Sequence, residues 1–137
     1  MPPSPSTARS AAPSARAFSF FWASPTAEAQ AIKLADKICG LRIFEDEVGK
    51  MNLGLDAVNG QLLIVSQFTL YGNCKHGRRP DFLAAARPET AVPLYERVIA
   101  GCRARGFTVR TGEFGADMQV ASVNDGPVTI LLDTDHL

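Results

Sequence analysis

The run Gln61-Leu62-Leu63-Ile64-Val65-Ser66 constrains this chain more than any other stretch of it. Four consecutive apolar residues follow a turn signal, Asn59-Gly60, and the run is too short for a buried helix. Successive side chains of a strand point to opposite sides, so an uninterrupted apolar strand needs cover on both faces. The chain must therefore build layers around a central strand. Alternation continues through Leu70 and predicts a strand from Gln61 to Leu70, with Ser66 and Phe68 on one face and Gln67 and Thr69 on the other.

Helical periodicity on either side supplies candidate layers. Ala31, Leu34, Ala35 and Ile38 recur at helical spacing, with Thr26 as a candidate cap and Gly40 as a stop. Leu94, Val98 and Cys102 mark a second helix from Thr90 to Arg105, with Pro93 in its first turn and Gly106 at its end. Leu41–Phe44 and Lys50–Leu53 flank the acidic turn Glu45–Gly49 and predict a hairpin. Phe107–Arg110, Met118–Val123 and Val128–Leu132 are β-branched and separated by glycine-containing turns, which predicts three further strands. Two helices on five or six strands give a mixed α/β (α+β) domain.

Composition bounds the rest. At 137 residues and 46% apolar the chain suits one domain. Residues 1–26 hold five of the nine prolines, two arginines, no glycine and no acid, and are expected to be a disordered extension or misassigned start, with 27–137 as the domain. An acid-free, arginine-bearing leader also has the look of a transit peptide, but its proline density opposes the amphipathic helix such peptides form. Fourteen basic and fourteen acidic residues balance over the whole chain. Beyond residue 26 there are 12 basic against 14 acidic, a net of −2, which excludes a general polybasic coat. The local exception is Lys75, His76, Arg78, Arg79 and Arg87 against Asp81. The apolar stretch Ala17–Ala23 is far short of a membrane span. Three cysteines and two histidines at wide spacing predict neither a disulfide framework nor a metal site, and point to a reducing, cytoplasmic setting.

Candidate chemistry is sparse. The chain lacks a G-x-S-x-G elbow, an H-E-x-x-H helix and a phosphate-binding P-loop. Three stretches place special residues where a strand meets a loop. Ser66-Gln67-Phe68-Thr69 puts an amide at the end of an apolar strand. Asn124-Asp125-Gly126-Pro127-Val128-Thr129 holds a Gly-Pro bond that could be cis. Lys75 with Gly77-Arg78-Arg79-Pro80-Asp81-Phe82 sets cations beside an aromatic ring, a combination suited to a phosphate backbone and a terminal base. Taken singly, each also has a plain reading: a satisfied amide, a tight turn, a solvated loop.

Together they carry a resemblance. Leu41–Glu47, Gly49–Asn52, Ser66–Tyr71, Gly77–Pro80, Phe114–Val120 and Asn124–Thr129 stand in the order and spacing of the D-aminoacyl-tRNA deacylase family, over Ala27 to Asp133. The resemblance implies a partly closed, barrel-like mixed sheet with two packed helices. It implies hydrolysis of the ester joining a D-amino acid, or glycine, to the 3′ end of tRNA, in a homodimer without cofactor, metal or membrane. Gly126 and Pro127, with a cis bond, would enter the partner's pocket and hold the substrate amine with their carbonyls, so that an L side chain collides. Ser66, Gln67, Phe68 and Met118 would line the pocket, their amides facing the developing oxyanion, while Asn124 would join Gly126 and Pro127 in substrate binding and chiral selection. Lys75, Arg78, Arg79 and Phe82 would meet tRNA. Thr129 has the form of a nucleophile, yet the family is understood to use the tRNA's own terminal 2′-hydroxyl. The family's first strands are expected to be missing here, with Phe18–Trp22 as a stand-in for the last of them. The rival expectation is an impaired member that only binds tRNA ends.

Overall fold

The computed structural model of the protein describes residues 17–22, 27–125 and 128–137. Among these residues there are two α-helices and five strands in two sheets. The main sheet has the order β1 (Ala17–Trp22), β4 (Gln61–Ser66), β5 (Val109–Thr111), with both pairings parallel. The apolar run is thus the central strand, as its composition demands. The hairpin β2 (Phe44–Glu45) and β3 (Met51–Leu53) forms a separate antiparallel pair. Strand β1 falls within the leader assigned to disorder, at the Phe18–Trp22 run proposed as a stand-in strand, and it brings Trp22 level with Ser66. Residues 1–16 and 23–26 lie outside the described set.

Parallel neighbours need crossovers, and the two helices provide them. Helix α1 (Glu28–Gly40) lies between β1 and β4, and α2 (Pro88–Ala104) between β4 and β5. Both crossovers step the same way across the sheet, so crossovers of one hand put both helices on the same face. The helices accordingly pack on each other. Arg97 pairs with Glu28 at 3.2 Å and Arg105 with Asp36 at 3.1 Å, so position advances along both helices together and they run parallel. Gly101 permits their close approach: a Cβ there would stand 2.9 Å from the Ala35 Cβ.

The core lies between this helix pair and β4. Ile38, Leu55, Leu62, Ile64, Val98 and Cys102 are fully buried, each aliphatic side chain contributing about 1.5–3 kcal/mol through burial. Tyr95 crosses from α2 to donate its hydroxyl to the Ile64 carbonyl at 2.8 Å. Val65 is buried on the other face, where Met118 and Gly112 approach it.

Several boundaries differ from expectation. Helix α1 starts after Ala27, whose carbonyl accepts from Gln30 and Ala31 without a side-chain cap. Helix α2 begins at Pro88, because proline suits a first turn where the N–H has no helical acceptor, and Pro93 then falls inside the helix. Strand β5 is Val109–Thr111 rather than Phe107–Arg110. The central strand stops at Ser66 and the chain turns into a 3-10 helix, Phe68–Tyr71, so the alternation of faces does not extend past Ser66. Met118–Val123 and Val128–Leu132 form no strand among the described residues. Their β-branched side chains favour an extended chain, but a strand also requires a hydrogen-bonding neighbour. Val123 is 93% and Leu131 89% exposed.

Candidate functional site

Open parallel sheets place their sites beyond the carboxyl ends of the strands, where loops diverge over aligned backbone. Here that edge holds Ser66 at the end of β4 and Thr111-Gly112 at the end of β5. Ser66 is half-buried, and Gln67 follows in an extended conformation (φ −143°, ψ 92°) that carries the chain out of the sheet. Gln67 donates its side-chain amide to the Thr69 hydroxyl, which accounts for that amide's donor without sheet partners. The 3-10 turn closes where the Gly72 N–H donates to the Thr69 carbonyl at 3.0 Å.

Gly72 sets what lies against this corner. A Cβ there would stand 3.0 Å from the Thr69 carbonyl oxygen and 3.2 Å from the Phe82 ring. Without one, Phe82 reaches Phe68, and the rings meet edge to face at 5.3 Å and 78°. Phe68 is nevertheless 56% exposed, leaving an aromatic surface at the strand end. Burial pushes the neighbouring Tyr71 phenol up, and the Asp133 and Asp135 carboxylates of the C-terminal turn add to the effect.

The basic segment forms a closed loop beside this corner. Asn73 and Asp81 exchange backbone hydrogen bonds of 2.8 and 3.1 Å, and the Asn73 side chain donates to the Asp81 carboxylate at 2.9 Å. The Asn73 side-chain oxygen also accepts from the Lys75 N–H at 3.2 Å, so both ends of the amide are used. Asp81 is thereby occupied at the neck, while Lys75, His76, Arg78 and Arg79 stand exposed. Gly77 sits at φ +66°, the left-handed conformation that turns the tip. Sequence reasoning did not see this clasp. The signal available was an Asn and an Asp bracketing a basic run, both residues that favour side-chain-to-backbone turns.

Met118 joins the same edge beside Gly112 and Val65, because Gly112 leaves room for it. A Cβ at Gly112 would meet the Met118 sulfur at 2.6 Å and the Val65 side chain at 3.7 Å. The structure thus gathers Ser66, Gln67, Phe68, Phe82, Met118 and the basic loop at one edge. Asn124 and Thr129 are exposed, and no described hydrogen bond or ion pair ties them to this corner. Gly126 and Pro127, on which the stereochemical expectation rests, lie outside the described residues. Among the described residues no group of His, Cys, Asp or Glu could hold a metal ion, and no helix is long and apolar enough to cross a membrane.

Comparison with known proteins adds a second line. Residues 22–133 match the family profile described as D-Tyr-tRNA(Tyr) deacylase. The D-aminoacyl-tRNA deacylase of Cytophaga hutchinsonii is 61% identical over 104 residues, covering 75% of this chain and 69% of that protein. Those of Thermotoga petrophila and Thermus aquaticus are 59% and 58% identical, over 76% and 80% of this chain and 70% and 72% of theirs. A solved c-Myc DNA unwinding element binding protein superposes with a TM-score of 0.73 at 34% identity, over 85% of this chain and 80% of that one. A probable eukaryotic D-amino acid tRNA deacylase shares the fold, with a TM-score of 0.60 at 19% identity over 72% of this chain and 74% of its own.

Proposed function

We infer the activity from kinship and from the strand-end corner together: this chain belongs to the D-Tyr-tRNA(Tyr) deacylase family. It is an enzyme that hydrolyses the ester of D-aminoacyl-tRNA, releasing the free D-amino acid and tRNA. Glycine mischarged onto tRNA is a second substrate in our reading, because a pocket that selects by excluding L side chains has nothing to exclude in glycine. One observation carries the assignment of the site. The corner Ser66-Gln67-Phe68 and a clasped cationic loop lie side by side at the carboxyl edge of the sheet.

The chemistry fits a substrate that brings much of its own reactivity. An aminoacyl ester needs a nucleophile, a stabilised oxyanion and correct placement. In our reading the exposed loop cations Lys75, Arg78 and Arg79 bind the phosphates near the tRNA 3′ end. The exposed face of Phe68, braced by Phe82, offers a surface on which a terminal base stacks. The main-chain amides where the chain leaves β4, at Ser66, Gln67 and Phe68, are the candidate donors to the oxyanion, and Met118 walls the pocket. In our reading the terminal 2′-hydroxyl of the tRNA is the reacting group, so neither Ser66 nor Thr129 has to act as a nucleophile.

Selection against L-amino acids we assign to Gly126 and Pro127, with Asn124 beside them, acting across a homodimer. The exposure of Val120, Val123, Val128, Ile130 and Leu131 on both sides of that pair supports an interface there. We further propose a cytoplasmic location, where aminoacyl-tRNA is consumed. Incubation of the purified chain with D-tyrosyl-tRNA and L-tyrosyl-tRNA tests the assignment. Loss of the D ester alone is the expected result. Survival of both esters with tRNA binding retained would overturn it in favour of an RNA-end-binding module.

A further inference from the structure

The parallel helix pair holds a feature that the deacylase reaction does not use. Cys39 lies in the last turn of α1 and Cys102 in the last turn of α2, and both are free thiols. The two helices come close at Gly101 and Ala35, Gly101 lying one position before Cys102 and Ala35 one helical turn before Cys39. Cys102 belongs to the buried cluster that the two helices enclose and Cys39 packs against that cluster, and each thiol is the largest influence on the other's titration. Cys102 is completely buried, whereas Cys39 is half-buried and lines a surface cleft of about 350 Å³ with Asp36, Arg42, Asp56, Arg105 and Phe107.

We propose that Cys39 and Cys102 are a peroxide-sensitive dithiol, oxidised reversibly to a disulfide that fastens α1 to α2. Cys39 is the attacking sulfur. The hydrogen bond from Cys102 holds its thiol below the ordinary value, the Arg105 guanidinium helps, and burial and Asp36 only partly oppose them. Cys102 is held protonated by the same hydrogen bond and by burial. The Cys39 thiolate displaces hydroxide from hydrogen peroxide and becomes a sulfenic acid. The Cys102 sulfur then attacks the Cys39 sulfur, the S–O bond breaks, and water leaves carrying the Cys102 proton. Two thiols have been oxidised, one peroxide has been reduced to two waters, and a small dithiol restores the starting state.

Cys74 sharpens the test, because it is exposed in the basic loop and would react first if exposure alone decided. The full chain is treated with hydrogen peroxide and digested without reductant, and its peptides are mapped by mass. The expected product is a Cys39–Cys102 cross-linked peptide lighter by two hydrogens, abolished by dithiothreitol and unchanged in Cys74→Ser. A Cys102→Ser variant, which keeps a donor but has no resolving sulfur, should accumulate a dimedone-reactive sulfenic acid at Cys39, while Cys39→Ser should leave Cys102 reduced. Oxidised protein should also show a higher denaturant midpoint than reduced protein. Oxidation confined to Cys74 in the unmodified chain, with Cys39 and Cys102 still alkylatable after unfolding, overturns the proposal without reliance on any variant.

Discussion

Replacing Tyr95 by Phe removes one oxygen atom from the centre of the molecule and tests how helix and sheet are joined. Tyr95 is 5% exposed, and its hydroxyl donates to the Ile64 carbonyl at 2.8 Å. Loss of the donor forfeits a hydrogen bond and leaves the carbonyl one partner short, for a combined cost of about 1–2 kcal/mol near neutral pH. The same contact sets a pH signature. Burial raises the Tyr95 phenol above its ordinary value, with Arg103 only partly opposing, so the folded protein keeps a proton that the unfolded chain releases first. The stability tied to that proton is complete below the unfolded value near pH 10 and is lost as pH rises toward the folded one. In this window the wild type gives up about 1.4 kcal/mol per pH unit relative to the variant. Guanidinium melts of both proteins from pH 7 to 11 measure the difference. The gap should be largest at neutral pH and close above pH 10, while Tyr71, present in both, cancels. A gap below a few tenths of a kcal/mol at pH 7, or one that persists unchanged at high pH, would refute the reasoning.

Gly101→Ala pits helix propensity against packing: the gain of about 1 kcal/mol from propensity is opposed by about 1–3 kcal/mol of overpacking, since the new Cβ would stand 2.9 Å from Ala35. Chemical denaturation should therefore show net destabilisation. Gly112→Ala displaces the flexible Met118 side chain from 2.6 Å, so stability should change by less than about 1 kcal/mol while KM for D-aminoacyl-tRNA rises. Equal losses of stability and activity would place Met118 in the core instead. Arg78→Ala and Arg79→Ala should each weaken tRNA binding at all sequences and lower the slope of log affinity against log salt by about 0.7–0.9, read from filter binding in graded KCl. Asn73→Ala opens the loop neck and should weaken tRNA binding although every cation remains.

Both helices and the central strand were legible because their signals are local and repeated. Ala31, Leu34, Ala35 and Ile38 are all buried on α1, and Leu94, Val98 and Cys102 on α2. The end of the central strand was not legible. Ser66 to Leu70 alternates as a strand does, and the alternation carries no sign of the 3-10 helix that the Gly72–Thr69 backbone bond closes. Met118–Val123 and Val128–Leu132 have strand-like composition, but pairing depends on a neighbour that no local pattern encodes. The site divides in the same way. Ser66, Gln67, Phe68 and the loop cations were visible as residue types in a recognisable order. Their assembly depends on contacts between distant positions: Phe68 with Phe82, Asn73 with Asp81, and Met118 over Gly112.

The clasp between Asn73 and Asp81 also bears on how such an enzyme changes over generations. Residues 74–80 hang outside a neck that is closed by its own hydrogen bonds, and none of them belongs to the core. The segment behaves as a cartridge, whose charge and shape can be rewritten while the framework carrying it is left undisturbed. With the tRNA contact proposed for this loop, lineages meeting different tRNA pools could retune affinity by substitution inside the cartridge, with little risk of misfolding.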